Sequence, residues 1–208
     1  MAKQVAHEIK NPLTPMRLNV QQFERSFQLD DKQRSEQLKE FTQGMLQQID
    51  TLSAIASAFS DFAKMPEANR VELNAVEVVQ WAVQLFTDQR LSFVADSPEM
   101  ALKFDRNHLV QIVNNLVKNA LEAVEGVPEA KVEIRLKAVK GRIQLEVEDN
   151  GKGMSDAVLK RMFEPRFTTK NSGMGLGLAV VKTLVEENGG SISCDSKEGH
   201  GTRFTLQF

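Results

Sequence analysis

The run His7-Glu8-Ile9-Lys10-Asn11-Pro12 gathers an imidazole, a carboxylate and an amide within two helical turns. At about 100° per residue, Val5, Ile9, Leu13 and Met16 share one side of a helix, and His7 falls opposite Val5, toward solvent. A lone exposed histidine carries no function by itself. Glu8, however, can accept a hydrogen bond from one ring nitrogen, which fixes the tautomer and frees the lone pair of the other nitrogen to attack. Asn11 projects to a similar side and could orient a water or a phosphoryl oxygen. Pro12 removes a backbone donor and crowds the preceding turn, so a bend is expected beyond His7, deepened by Pro15. The plainer reading is a solvated helix face with prolines that serve packing.

Further motifs lie downstream. Asn115-Leu116-Val117-Lys118-Asn119 places two amides one turn apart on one face. Amide oxygens are hard neutral ligands suited to Mg²⁺, although paired asparagines are also ordinary capping and surface residues. Asp149-Asn150-Gly151-Lys152-Gly153 follows a strand. Its carboxylate could accept from an exocyclic amine such as that of adenine, and its glycines allow close approach to a flat ring. The same string also describes a common turn. Gly173-Met174-Gly175-Leu176-Gly177 leads into a helix whose bare amides and positive end suit a polyphosphate. It is not the dinucleotide fingerprint G-x-G-x-x-G. Between the last two motifs, Phe163–Ser172 is polar and glycine-flanked, as an ordering lid would be. Gly199-His200-Gly201-Thr202 forms a tight turn into the last strand. The order of these elements, more than any one of them, points to a nucleotide site.

Two kinds of element must position these residues. Up to about Lys64, apolar residues recur at gaps of three or four: Val5, Ile9, Leu13, Met16, Val20, Phe23 and Phe27, then Leu38, Phe41, Met45, Ile49, Leu52, Ile55, Phe59 and Phe62. Each run predicts an amphipathic helix with a narrow seam, and Gln28–Gln33 is the turn of a hairpin. Two helices bury too little surface to stand alone, so a second copy should complete a four-helix bundle; a hairpin packed on the rest of the chain is the alternative. Near Met65-Pro66-Glu67-Ala68-Asn69 the pattern breaks into a linker. Beyond it, Asn74 caps a helix to about Phe86, and Leu91–Val94 and Ala101–Phe104 read as strands. Asp105–Val124 is a helix, and Val132–Ala138 and Ile143–Asp149 are hairpin strands turning at Lys140-Gly141. Leu176–Asn188 is a helix ended by Gly189-Gly190, and Ser191–Cys194 and Thr202–Phe208 are closing strands. The fold class is therefore an α hairpin followed by an α/β sandwich, a mostly antiparallel sheet with helices on one face.

Bulk properties exclude several classes. A net charge of −2 over 208 residues makes no electrostatic case for nucleic acid or an anionic membrane as the main partner. The single cysteine, Cys194, excludes an intrachain disulfide framework. No stretch reaches the ~18–20 apolar residues of a membrane span, and nothing in the first residues reads as a signal peptide. A helical pattern already running in the first residues predicts a fragment of a longer parent, cut within a helix.

With these residues in view, the chain resembles the transmitter core of two-component sensor histidine kinases over nearly its whole length. His7–Pro12 is similar to that family's H box, Asn115–Asn119 to its N box, Asp149–Gly153 to G1, Phe163–Phe167 to the F box and Gly173–Gly177 to G2. The run Lys3–Met16 looks most like nitrogen-regulation (NtrY-like) sensors. The resemblance implies a dimerisation and phosphotransfer domain over residues 1–65, a linker over 66–73, and a catalytic ATP-binding domain of the gyrase, Hsp90, histidine kinase and MutL type over 74–208. It implies ATP and Mg²⁺ as cofactors, with Asn119 the principal metal ligand and Asn115 beside it. Asp149 would read the adenine amine, and Lys118 and Lys170 would reach phosphates. Gly151, Gly153, Phe163, Thr169, Gly173, Gly175, Leu176, Gly177 and Thr202 complete the implied nucleotide set. Glu8 and Asn11 match an E-x-x-N pattern linked to autokinase and phosphatase activity. Two departures stand out: Arg166 replaces the second Phe of the F box, and Met174 replaces a small residue in G2.

The implied reaction is autophosphorylation of His7 by MgATP and transfer to an aspartate of a response-regulator receiver domain. The protein would be a homodimer and the cytoplasmic part of an inner-membrane sensor. An ATP-driven clamp of the gyrase or MutL kind is the rival enzyme, although such ATPases carry a carboxylate near the position of Asn115. A dimeric scaffold with a decayed nucleotide site is the non-enzymatic rival.

Overall fold

The computed structural model describes residues 2–26, 38–49, 52, 68–165, 167, 168 and 175–208, with 2–10, 25 and 26 described by backbone alone. The chain divides into two compact units, Met1–Met65 and Pro66–Phe208.

In the first unit, α1 spans Ala2–Ser26 and is continuous across Pro12 and Pro15. A second helix, α2, covers 38–49. The Phe23 and Phe41 rings stack with centroids 4.6 Å apart. One turn earlier on α1, Asn19 lies against Gly44, one turn later on α2, so the two helices run antiparallel. Leu13, Val20, Leu38 and Ile49, all on the predicted seam, remain 41–48% exposed. Among the described residues, no helix is long and apolar enough to cross a membrane.

The second unit orders β1 (Val71–Asn74), α3 (Ala75–Gln84), β2 (Leu91–Ala95), β3 (Ala101–Phe104), α4 (Arg106–Ala123), β4 (Val132–Val139), β5 (Arg142–Asp149), α5 (Asp156–Leu159), α6 (Gly177–Glu187), β6 (Ser191–Lys197) and β7 (Gly201–Gln207). Caps fix the helix starts. Asn74 Oδ1 accepts the Val76 N–H at 3.1 Å, and Asp105 Oδ1 accepts those of Asn107 and His108. The main sheet has the order β2-β4-β5-β7-β6, with β2 parallel to β4 and the remaining pairs antiparallel. A separate antiparallel pair joins β1 to β3. Residues 71–73, read from the sequence as linker, are therefore strand: β1 gains its ladder from β3 some thirty residues on, and a four-residue segment shows too little alternation to reveal it. The short helix α5 also went unforeseen.

Period two divides the sheet into two surfaces. Val132, Ile134, Leu136, Leu145, Val147, Phe204 and Leu206 are buried on one of them. There α4 packs between α3 and α6, adding Leu109, Ile112, Val113, Leu116 and Val117 to the core. The other surface is an ionic ladder. Glu133 and Glu148 are directly opposite each other, and Arg135 reconciles them, with Nε 2.7 Å from Glu133 and an NH group 2.7 Å from Glu148. Arg203 holds the second oxygen of Glu148 at 2.6 Å, and Lys137 holds Glu146 at 2.7 Å.

Candidate nucleotide and phosphotransfer site

The carboxyl-terminal end of β5 delivers Asp149 to the buried side of the sheet, where its side chain is 7% exposed. Burial pushes its carboxyl above the usual aspartate value, against the backbone N–H groups of Gly151 and Thr202, which favour the anion. The Gly151 bond is 2.9 Å. Asn150 pins the loop from outside, accepting the Lys131 N–H at 2.7 Å and donating to the Glu129 carbonyl at 2.9 Å.

The glycines that follow are demanded by contact. A Cβ on Gly151 would collide with the Ala123 carbonyl at the end of α4 and lie 2.8 Å from Asp149 Oδ1. Gly153 has φ +64° and Gly201 φ +91°, and a Cβ on either would strike backbone oxygen, of Lys197 and of Asp149 respectively. The β5 loop and the β6–β7 turn therefore interlock. Ser196 completes the knot: its hydroxyl accepts the Met154 N–H, donates to the Gly201 carbonyl and lies 3.0 Å from the buried Thr202 hydroxyl. Nothing in the sequence marked Ser196, one polar residue on an alternating strand.

The amides of α4 meet the start of α6. A Cβ on Gly177 would lie 3.0 Å from Asn115 Oδ1 and 4.0 Å from Asn119 Nδ2. Asn115 Nδ2 donates to the Gln111 carbonyl at 2.9 Å, which turns its oxygen toward α6. Leu176 caps α6, and Gly175 before it has φ +61°. Lys118 is exposed on α4. Phe163, half-buried after α5, lies under the Lys182 ammonium of α6 at 5.7 Å. Two motifs far apart in sequence thus become neighbours across Gly177, and Asp149 and Thr202 become neighbours across paired strands.

Other expectations fall elsewhere. Thr169, Lys170, Gly173 and the two departures, Arg166 and Met174, lie outside the described residues. His7 and Glu8 lie on α1, their side chains outside the description; Asn11 is exposed one turn on, and Pro12 is buried. Among the described residues, no three His, Cys, Asp or Glu side chains gather to hold a metal. The donors available near Gly177 are amides.

Residues 104–208 match the family described as histidine kinase-, DNA gyrase B- and HSP90-like ATPase, and residues 1–68 match the His Kinase A (phospho-acceptor) domain. The chain belongs to the sensor histidine kinases. It is 34% identical to nitrogen regulation protein NtrY of Azorhizobium caulinodans and 32% identical to an NtrY-like sensor histidine kinase of Rickettsia conorii, in each case over all of this chain. It spans only 28% and 35% of those relatives' length. Among solved structures, histidine kinase ThkA in complex with response regulator TrrA covers the whole chain at TM-score 0.78 and 25% identity, with 60% of that chain aligned. The catalytic domain of ThkA alone covers 67% of this chain at TM-score 0.59 and 26% identity, with 95% of it aligned. The expected transmitter core, and its α/β ATP-binding fold, are thereby met.

Proposed function

We propose that this kinase core binds MgATP between α4, α6 and the end of β5 and phosphorylates His7. The observation that carries the reading is that α4 touches both halves: Asn115 and Asn119 meet Gly177, and Ala123 at its end abuts Gly151 next to the buried Asp149. Asp149 receives the adenine amine, and the glycine-rich start of α6, with Lys118 and Lys170, receives the phosphates. The crowding at Gly177 fits this assignment, because only a glycine lets the helix start lie so close to the amides. Asn119 and Asn115 would hold Mg²⁺, which when bound neutralises phosphate charge.

A lone pair of the neutral His7 ring forms a P–N bond to the γ-phosphorus, the bond to the β-phosphate oxygen breaks, and ADP leaves. The ring proton passes to Glu8, leaving a neutral imidazole ring that carries the phosphoryl group and its negative charge. The phosphoryl group then moves to an aspartate carboxylate of a response-regulator receiver domain; ThkA, solved with TrrA, is the supporting parallel. The exposed seam of α1 and α2 supports a homodimer, which light scattering would measure directly. The greater length of the NtrY-type relatives supports a longer parent sensor, of which this core would be the cytoplasmic part at the inner membrane. The exposed position of Asn11, one turn from His7, favours a second activity, water-dependent dephosphorylation of the regulator.

Incubation with γ-labelled ATP and Mg²⁺ is expected to give an acid-labile phosphoprotein that His7→Gln abolishes. Label persisting on His7→Gln sinks the assignment. Phosphate release to water with no phosphoprotein points instead to a clamp-type ATPase.

A further inference from the structure

The contacts near Gly177 occupy one end of the α4–α6 pair. At the other end one amide bonds to both helices. Asn188, which closes α6, donates through Nδ2 to the Leu184 carbonyl at 2.8 Å and to Nδ1 of the buried His108 at 3.0 Å. That acceptor role assigns the His108 ring hydrogen to Nε2. Asn188 Oδ1 accepts the backbone N–H of Asp105, the cap of α4, at 3.4 Å. Asp105 Oδ2 accepts the Asn69 N–H at 2.8 Å, and the Arg70 guanidinium donates to the Glu187 carbonyl. One side chain is therefore bonded to the first turn of α4 and the last turn of α6.

Such bonds would be ordinary structure were the two helices not also the walls of the proposed site. Helix α6 has 11 residues, about 16 Å at 1.5 Å per residue, and its inner face is buried through Ala179, Val180, Val181, Leu184 and Val185. It moves as a rod. A change in spacing at Asn188 must therefore reach Gly177, where a Cβ would stand only 3.0 Å from Asn115 Oδ1.

We infer that Asn188 is a positioning residue for nucleotide: it sets the spacing and axial register of α6 against α4, and with them the fit of the amides to the phosphate-facing helix start. This rests on the nucleotide site proposed above. The dependence is confined to the polyphosphate half of the ligand. Asp149, which receives the base, stands on β5 and is held by Gly151 and Thr202, a set of bonds separate from those of Asn188.

The test is equilibrium binding of adenosine, ADP and ATP with Mg²⁺ to the full chain, by displacement of a fluorescent ATP analogue, at a temperature well below unfolding. Asn188→Ala is expected to weaken ADP and ATP about fivefold or more and to leave adenosine unchanged. Asn188→Asp keeps the shape and the Oδ1 acceptor but loses both donors. It is expected to fall between the two, and supplies the measurement should the alanine variant fail to fold. An equal loss for adenosine, or unchanged ATP affinity beside a lowered Tm, makes Asn188 merely structural and overturns the inference. Wild-type protein that binds none of the three ligands overturns the nucleotide site itself, and this inference with it.

Discussion

Gly177→Ala adds one methyl group at the point where α4 meets α6. The backbone permits it, since Gly177 is absent from the positive-φ residues and lies in the first turn of a helix. Loss of unfolded-state freedom alone would stabilise the variant by about 0.4–1 kcal/mol. Against this, the methyl carbon would lie 3.0 Å from Asn115 Oδ1, so the amide must retreat by a few tenths of an ångström. Its Nδ2 bond to Gln111 resists, at a cost of about 0.5–1.5 kcal/mol if it breaks. The two contributions nearly cancel, and Tm should stay within about 2–4 °C of wild type, the shift of a 1 kcal/mol change in a chain of this size. Ligand binding has no such compensation: a displaced phosphate-side amide at about 1.4 kcal/mol corresponds to tenfold weaker MgATP. Isothermal titration of wild type and Gly177→Ala, paired with thermal melts, separates the effects. In an Asn115→Ala background the methyl has no oxygen to displace, so Gly177→Ala should cost little further affinity. Fully additive losses in that double-mutant cycle would refute the proposed contact between the helices.

Asp149→Asn should weaken adenine nucleotides by about 1.5–3 kcal/mol, the value of a hydrogen bond to a charged group, in analogue-displacement assays. Because burial raises the Asp149 carboxyl above 3.8, it takes up its proton, and wild-type affinity declines, earlier on acidification than for an ordinary aspartate; Asp149→Asn should lack that decline. Asp105 behaves oppositely. Burial raises its carboxyl, yet the N–H groups of His108, Asn69 and Asn107 together hold it below 3.8. The stabilisation it provides is therefore complete above that value and lost as pH falls through the folded one. Asp105→Asn keeps one cap oxygen but turns an amide NH₂ toward the Asn69 N–H; it should cost about 1 kcal/mol in denaturant unfolding at neutral pH, and the gap to wild type should close in acid.

Sequence was a good guide where cause and effect lie close together. Asp105 announces α4 because a cap acts within three residues, and β4–β5 is readable because Lys140-Gly141 sits between two alternating runs. The parallel pairing of β2 with β4 was not readable, since Leu91 finds Val132 across an intervening helix. For the same reason Val71–Leu73 of β1 reads as linker in the sequence. In the site, the glycines and asparagines were visible as types, but their partners were not. That Gly177 faces Asn115 is a property of helix packing, and the bond from Asn188 to His108 joins positions 80 residues apart. The seam of the hairpin was only half realised within one chain: Phe23 and Phe41 found each other, while Leu13 and Ile49 remain open to solvent.

The ionic ladder on the outer surface of the sheet has a consequence for encounters in solution. Carboxylates and cations alternate there at 2.6–2.7 Å across β4, β5 and β7, so their fields cancel within a few ångströms. At a Debye length of about 8 Å, little of either sign survives to the distance at which a diffusing protein first responds. That flank is electrically quiet. A charged partner approaching from it is neither drawn in nor turned away, and orientation on approach is left to the charges elsewhere on the molecule.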